Sequence, residues 1–205
     1  MTTLLAEPPM AMPPLRPAQR PAEVLPVRPE LAELLPYGGL PRGSAVAVPP
    51  GGGGTSLLLA LLAEASRAGA WCGVVCWPEL GGLAAAALGV VLPRVVAVHE
   101  PGEQWPAVTA ALLDAADLVV LRPPGRVDPS DVRRLTAHAR ERRAVLLVAG
   151  EWPGAGLRLS TVDSRWAGLA EGAGHLTGRE VTVRAEGRGP AARPREGRVV
   201  LGTAA

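Results

Sequence analysis

The 205-residue chain contains no phenylalanine, one tyrosine and no lysine: all 21 of its basic side chains are arginine. Each absence narrows the reading. With aromatics at 3% and hydrophobic residues at 48%, the core must be built from small aliphatic side chains, chiefly Ala, Leu and Val. A GC-rich coding bias accounts for this composition, but its chemical consequence stands: no mechanism that uses a protein lysine is open. Cysteine is equally scarce. Cys72 and Cys76, in "WCGVVCW", stand four apart on an expected strand. They are therefore separated by roughly 13 Å, too far for a disulfide. Two cysteines and three scattered histidines do not make a zinc site, so both are expected to be small core side chains on one strand face. No long apolar run approaches the ~20 residues of a bilayer span, and no charged start precedes an apolar stretch. The expectation is a cytoplasmic protein with no membrane partner. The net charge of +2, from intermixed acids and bases, neither demands nor excludes nucleic acid.

What is present is an alternation of short apolar strands and helices. Residues 1–28, rich in Pro and Ala, read as a flexible arm. Residues 29–165 read as the core, and 166–205 as an antiparallel extension with an Arg-rich tail. In the core, "PELAELL" predicts a short helix and "SAVAV" a strand, followed by a helix from about Thr55 to Ala68. The strands "AWCGVVCW", "RVVAVHE", "DLVVLRP" and "AVLLVAG" follow, with helices between them. Their unbroken apolar character fits a parallel sheet covered on both faces. Asp128 followed by Pro129 predicts a well-formed helix start. Beyond Gly150, "LRLSTVDS", "HLTGREVTVRAEG" and "GRVVLG" read as strands joined by turns, forming an antiparallel extension at one sheet edge. The intervening "RGPAARPREGR" reads as a mobile loop.

One element has the outline of a nucleotide site. In "VAVPPGGGGTSLLLALLAEA" a strand runs through a glycine-rich turn (Gly51, Gly52, Gly53, Gly54), then Thr55 and Ser56, into an apolar helix. A phosphate-binding loop of the form G-x-x-x-x-G-K-[ST] uses backbone N–H groups to wrap phosphates, lysine to reach the β and γ oxygens, and a hydroxyl to hold Mg²⁺. Here Gly54 stands at the lysine and Val48 at the first glycine. In "DLVVLRPP" the metal-binding carboxylate expected after four apolar residues is replaced by Arg122, which could meet a phosphate but would repel a metal. Two losses at separate motifs argue against ATP hydrolysis and tight ATP binding. A plain turn capped by Thr55 or Ser56 is the simpler alternative.

Read together, "LAELLPYGGLPRGSAVAVPPGGGGTS" resembles the start of the RecA ATPase core: Gly38, Gly39, Leu40, Pro41 and Gly43 match its Gly-Gly-Leu-Pro-x-Gly turn. Gly102, Glu103 and Gln104 match its G-E-Q helix start, ahead of the strand that ends at Arg122. The resemblance covers roughly residues 30–165. It implies a RecA-like three-layer α/β domain with a mainly parallel sheet and a C-terminal antiparallel strand extension. Short Pro/Gly turns follow Leu121 and Val148, where RecA carries its DNA-binding loops. A degenerate RecA-like chain of this kind is similar to the ImuA-type proteins. That similarity implies a non-catalytic, cofactor-free accessory protein (a pseudo-ATPase) for DNA repair by translesion synthesis and SOS mutagenesis. Its implied partner is an ImuB-like Y-family polymerase homologue, with an error-prone DnaE-type polymerase or RecA beside it. A divergent P-loop ATPase and a DNA-binding repair protein of the RecA superfamily are the alternatives.

Other candidates are weaker. His99, Glu100, Asp114 and Asp117 could form acid–base pairs, though structural roles are expected. Trp105 and Trp152 could anchor a partner or simply cover the sheet. Arg133, Arg134, Arg140, Arg142 and Arg143 crowd one helix, and Arg188, Arg193 and Arg195 the tail, with Arg184 and Arg198 beside them. Both clusters are candidate contacts for a partner or for DNA phosphates, the tail as a disordered basic segment that folds on contact. No catalytic or metal-ligating residue is identified.

Overall fold

The computed structural model describes residues 23–167 and 178–201. The chain enters through β1 (Val24–Pro26) and α1 (Pro29–Ala32), then β2 (Gly39–Pro41), which pairs antiparallel with β1. β3 (Ala45–Val48), α2 (Gly54–Arg67), β4 (Cys72–Val75), α3 (Gly82–Ala87) and β5 (Val95–Val98) follow. α4 (Trp105–Ala115), β6 (Leu118–Leu121), α5 (Pro129–Arg142) and β7 (Val145–Ala149) complete the alternating part. β8 (Leu157–Ala167), β9 (Gly178–Gly187) and β10 (Arg195–Leu201) close the described chain.

The eight-stranded sheet has the order β10-β9-β8-β3-β7-β6-β4-β5. From β8 to β5 neighbouring strands are parallel, while β9 and β10 are added antiparallel. The expected architecture, an α/β domain with a mainly parallel sheet and an antiparallel extension, is the one found. β3, β4, β6 and β7 are buried almost throughout, because α2 packs on one face of the sheet and α4 and α5 on the other. α2 is apolar nearly all round, from Leu57 to Ala65, since its outer side is itself covered by β1 and β10. The two faces form separate clusters: Val46 and Val48 point to α2, Ala45 and Ala47 to α5.

The extension is covered on one face only, and its sequence alternates accordingly. Val181, Val183, Ala185, Val199 and Leu201 point inward, while Arg158, Arg184, Glu186, Glu196, Glu180 and Arg198 form an ion-pair ladder on the other face. This corrects the reading of the tail as a mobile loop and a disordered basic segment. Arg184 lies on β9, Arg195 and Arg198 lie on β10, and the turn between the strands contains a short 3-10 helix at Gly189–Ala191. Two further differences concern boundaries. β1 falls inside the segment read as a flexible arm, where Leu25 packs into the core at 2% exposure. β8 runs through the boundary drawn at residue 165 because its pairing with β9 continues to Ala167. Residues 1–22 of the arm lie outside the described residues. The expected helix start holds: the Asp128 carboxylate accepts the Ser130 N–H at 2.7 Å with Pro129 in the first turn. The Ser130 hydroxyl and N–H together hold the Asp128 carboxyl below its ordinary value.

Candidate functional site

In an open α/β sheet, ligands meet the protein beyond the carboxyl ends of the parallel strands. Here that rim is formed by the loops after β3, β4, β5, β6 and β7. The loop after β3 carries Pro49, Pro50 and the four glycines into α2, so the strand–turn–helix outline is real. Gly53 is the helix N-cap at φ 106°, a left-handed conformation that favours glycine. No side chain caps the helix, which corrects the expectation of a Thr55 or Ser56 cap.

What the loop cradles is another part of the same chain. A Cβ on Gly51 would stand 2.6 Å from Thr161 Oγ1 on β8, and one on Gly53 would stand 3.0 Å from Val181 Cγ2 on β9. A Cβ on Gly52 would lie 3.6 Å from an Arg179 guanidinium nitrogen and 3.7 Å from Ser164 Cβ. The glycines therefore let the β8–β9 pair approach the loop backbone. The cavity left beside the loop measures about 270 Å³ and is lined by Gly51, Gly54, Thr55, Trp77 and Arg122, among others. Ligand clefts usually span ~300–1,000 Å³. Trp77, only 5% exposed, is part of that lining.

Arg122 does stand at the end of β6, but its charge is already engaged: Nη1 donates to Glu79 Oε2 at 2.5 Å. Arg122 lines both the glycine-loop cavity and a larger cleft of about 700 Å³, to which Glu79 also belongs. The cleft is lined by Cys76, Glu79, His99, Glu100, Glu103 and Trp105, with prolines at its margins. His99 Nδ1 lies 2.7 Å from the Trp77 carbonyl, so Nδ1 is the nitrogen that donates. Burial raises the Cys76 thiol above its ordinary value, which keeps it a thiol. Cys76 has φ 58° and borders the cleft, so it is not a core side chain on the face of Cys72 as expected from the sequence. Among the described residues no group of three or more His, Cys, Asp or Glu side chains is placed to hold a metal ion.

The other candidates separate clearly. Asp117 accepts from Arg42 at 2.7 Å and from the Trp71 N–H at 3.0 Å, tying the start of β3 to the starts of β4 and β6. Asp114 pairs with His138 and Arg142. Both carboxylates are structural, and neither joins His99 and Glu100. Trp152 is 3% exposed and donates its indole N–H to Thr136, so it covers the sheet and anchors nothing outside. Trp105 is half-buried at the cleft.

Of the helix arginines, Arg134 pairs with Asp131, Arg142 with Asp114 and Arg143 with Glu23. Arg133 and Arg140 instead line a groove of about 670 Å³ between α5 and residues Pro153–Gly156. Arg188 donates its backbone N–H to the carbonyl of Gly156, a residue of that lining. In the tail, Arg188 and Arg193 are exposed, while Arg195 donates to the Glu33 carbonyl. The sequence did not indicate this groove, because it depends on the β7–β8 loop lying beside a helix that begins twenty residues earlier.

No helix among the described residues is long and apolar enough to cross a membrane. The chain is 38% identical over 130 residues to an uncharacterized protein of Mycobacterium tuberculosis, Rv3395c, across 60% of this chain and 64% of that protein. It thus spans just under two thirds of that relative's length. The family model of the MT3502 N-terminal domain matches residues 33–154, from the end of α1 through β7 and into the loop after it. By that match, the chain belongs to the MT3502 N-terminal domain family.

Proposed function

We propose that this protein is a non-catalytic RecA-like adaptor of the ImuA type, supporting error-prone translesion synthesis through contact with an ImuB-like partner. One observation carries the reading: the glycine loop is packed against Thr161 and Val181 of its own chain. A magnesium nucleoside triphosphate does not fit the residues present. The loop has no amine at Gly54, and the neighbouring strand offers Arg122 where a metal needs a carboxylate. The strand–loop–helix is then a scaffold element, and the protein's work is done by surfaces.

The groove between α5 and the β7–β8 loop is the surface that suits an acidic partner segment. Its lining carries Arg133 and Arg140 against the one carboxylate of Glu141, it is apolar at Val132 and Ala45, and glycine backbone at Gly154 and Gly156 leaves room for close approach. Titration with a fluorescent ATP analogue and Mg²⁺ to millimolar concentration is expected to give no saturable binding; a micromolar dissociation constant would overturn the adaptor reading. Arg133→Glu with Arg140→Glu is expected to weaken binding of an ImuB-like partner by at least about tenfold.

A second reading, DNA contact, is favoured by the exposure of Arg193 and of Arg188, whose backbone N–H bonds Gly156 of this groove. It requires single-stranded DNA binding that falls steeply with salt. Salt-insensitive or absent retention of single-stranded DNA removes it.

A further inference from the structure

The two edges of the sheet are treated differently. β10 carries Arg195, Glu196 and Arg198, and Leu34 of the N-terminal segment packs against its Gly197. At the other edge, β5 is Val-Val-Ala-Val, with Val96 38% exposed and Ala97 exposed. The α3 residues Leu83, Ala84, Ala86 and Ala87 beside it are also exposed, Leu83 at 89%. Open edges of this kind are normally blunted by charge, proline or covering chain. Pro93 and Arg94 precede this strand and His99 and Glu100 follow it, but none interrupts it.

We propose that β5 pairs antiparallel with β5 of a second copy of this chain, about a two-fold axis at Ala97, making one continuous sheet. The hydrogen-bond parity of the strand limits the registers to those with the axis on a residue. The Cys76 N–H donates to the Val98 carbonyl, and in the register Val75↔Val98 this turns the backbone groups of Val96 and Val98 toward β4. The N–H and C=O of Val95, Ala97 and His99 therefore point away from the sheet. In an antiparallel pair, outward residues must face outward residues. Centring the pair on Ala97 satisfies this, placing Val95 opposite His99 and Val96 opposite Val98 of the other copy.

The same register brings Arg94, which ends the 3-10 turn before the strand, and Glu100, two residues past its end, near each other across the two copies, once on each side of the axis, whereas shifting it two residues either way leaves each charge near uncharged residues. The Arg94 guanidinium donates through Nη1 to the Gly69 carbonyl and lies over Trp71, which leaves N–H groups for the carboxylate. The axis runs perpendicular to the sheet, so α3 meets α3 of the other copy. Its alanines permit close approach, and Leu83, 89% exposed here, gains cover. The interface is isologous and closes on itself, giving a dimer and no filament. This inference goes beyond the adaptor reading and does not depend on it.

Sedimentation equilibrium of the full chain at micromolar and higher concentrations is expected to give twice 21.1 kDa. A monomer throughout overturns the proposal. Ala97→Asp, at an exposed side chain, brings two carboxylates together at the axis and is expected to give a monomer with an unchanged far-UV spectrum. A dimer that survives it places the interface elsewhere. Glu100→Arg is expected to weaken the dimer and Arg94→Glu with Glu100→Arg to restore it; failure of the paired exchange overturns the register. Val200→Asp, on the exposed face of β10, is expected to leave the dimer intact, and dissociation there would overturn the choice of edge.

Discussion

Thr161 Oγ1 lies 2.6 Å from the point where a Cβ on Gly51 would stand. The contact joins the glycine loop to a strand more than a hundred residues later, and it explains the glycine without any phosphate. Gly51→Ala must therefore displace the Thr161 hydroxyl or the strand that carries it, at about 1–3 kcal/mol of stability. Thermal unfolding with and without Thr161→Ala checks this: the second change should return part of the loss. An unaltered transition in Gly51→Ala would leave the glycine without a packing role.

Arg122 and Glu79 are both substantially exposed, at 47% and 64% of their side chains. Their ion pair should therefore contribute little. Arg122→Ala is expected to change stability by no more than ~1 kcal/mol, measured by urea denaturation. A larger loss would mean that Arg122 supports the rim in a way its geometry does not suggest.

Asp117 is the opposite case. Its side chain and that of Arg42 are only 17% and 11% exposed, and it also receives the Trp71 N–H. Asp117→Ala leaves a largely buried guanidinium uncompensated, so a loss of about 3 kcal/mol or more is expected. Replacing both residues by apolar side chains of similar size should recover most of it.

Burial, with the Asp117 charge as a smaller contribution, pushes the Cys72 thiol from 9.0 up to about 12. The folded state thus retains a proton that the unfolded chain releases above pH 9. The stability linked to this group is fully present below pH 9 and is lost as pH rises from there toward 12. Unfolding free energies measured across that interval should fall less steeply in Cys72→Ala. At neutral pH a thiol reagent should modify Cys76 slowly, and Cys72 only after denaturation.

The local features were legible in the sequence, and the long-range ones were not. Asp128 and Pro129 announced α5 because a cap involves residues two apart. The apolar runs around Val74, Val119 and Leu146 announced parallel strands because burial on both faces leaves no polar alternation. The loop glycines suggested phosphate because their role is set by Thr161 and Val181, which no local pattern connects to Gly51 and Gly53. The clustered arginines of α5 looked like a single surface until Asp131, Asp114 and Glu23 claimed three of them. Leu25 reads with the proline-rich arm because a three-residue strand has no period to detect; its partner Leu40 lies beyond α1.

The covering of α2 on its outer side bears on how the chain can be divided. A fragment limited to residues 33–154, the span shared with the family, would keep β3 but lose β8 beside it, β1 and β10 above α2, and Leu25 and Leu31 with them. Its central strand would become a raw edge, and leucines of α2 would face water. Recombinant pieces cut at those limits should collect in inclusion bodies, whereas pieces that keep residues 23–201 retain each of these covering elements.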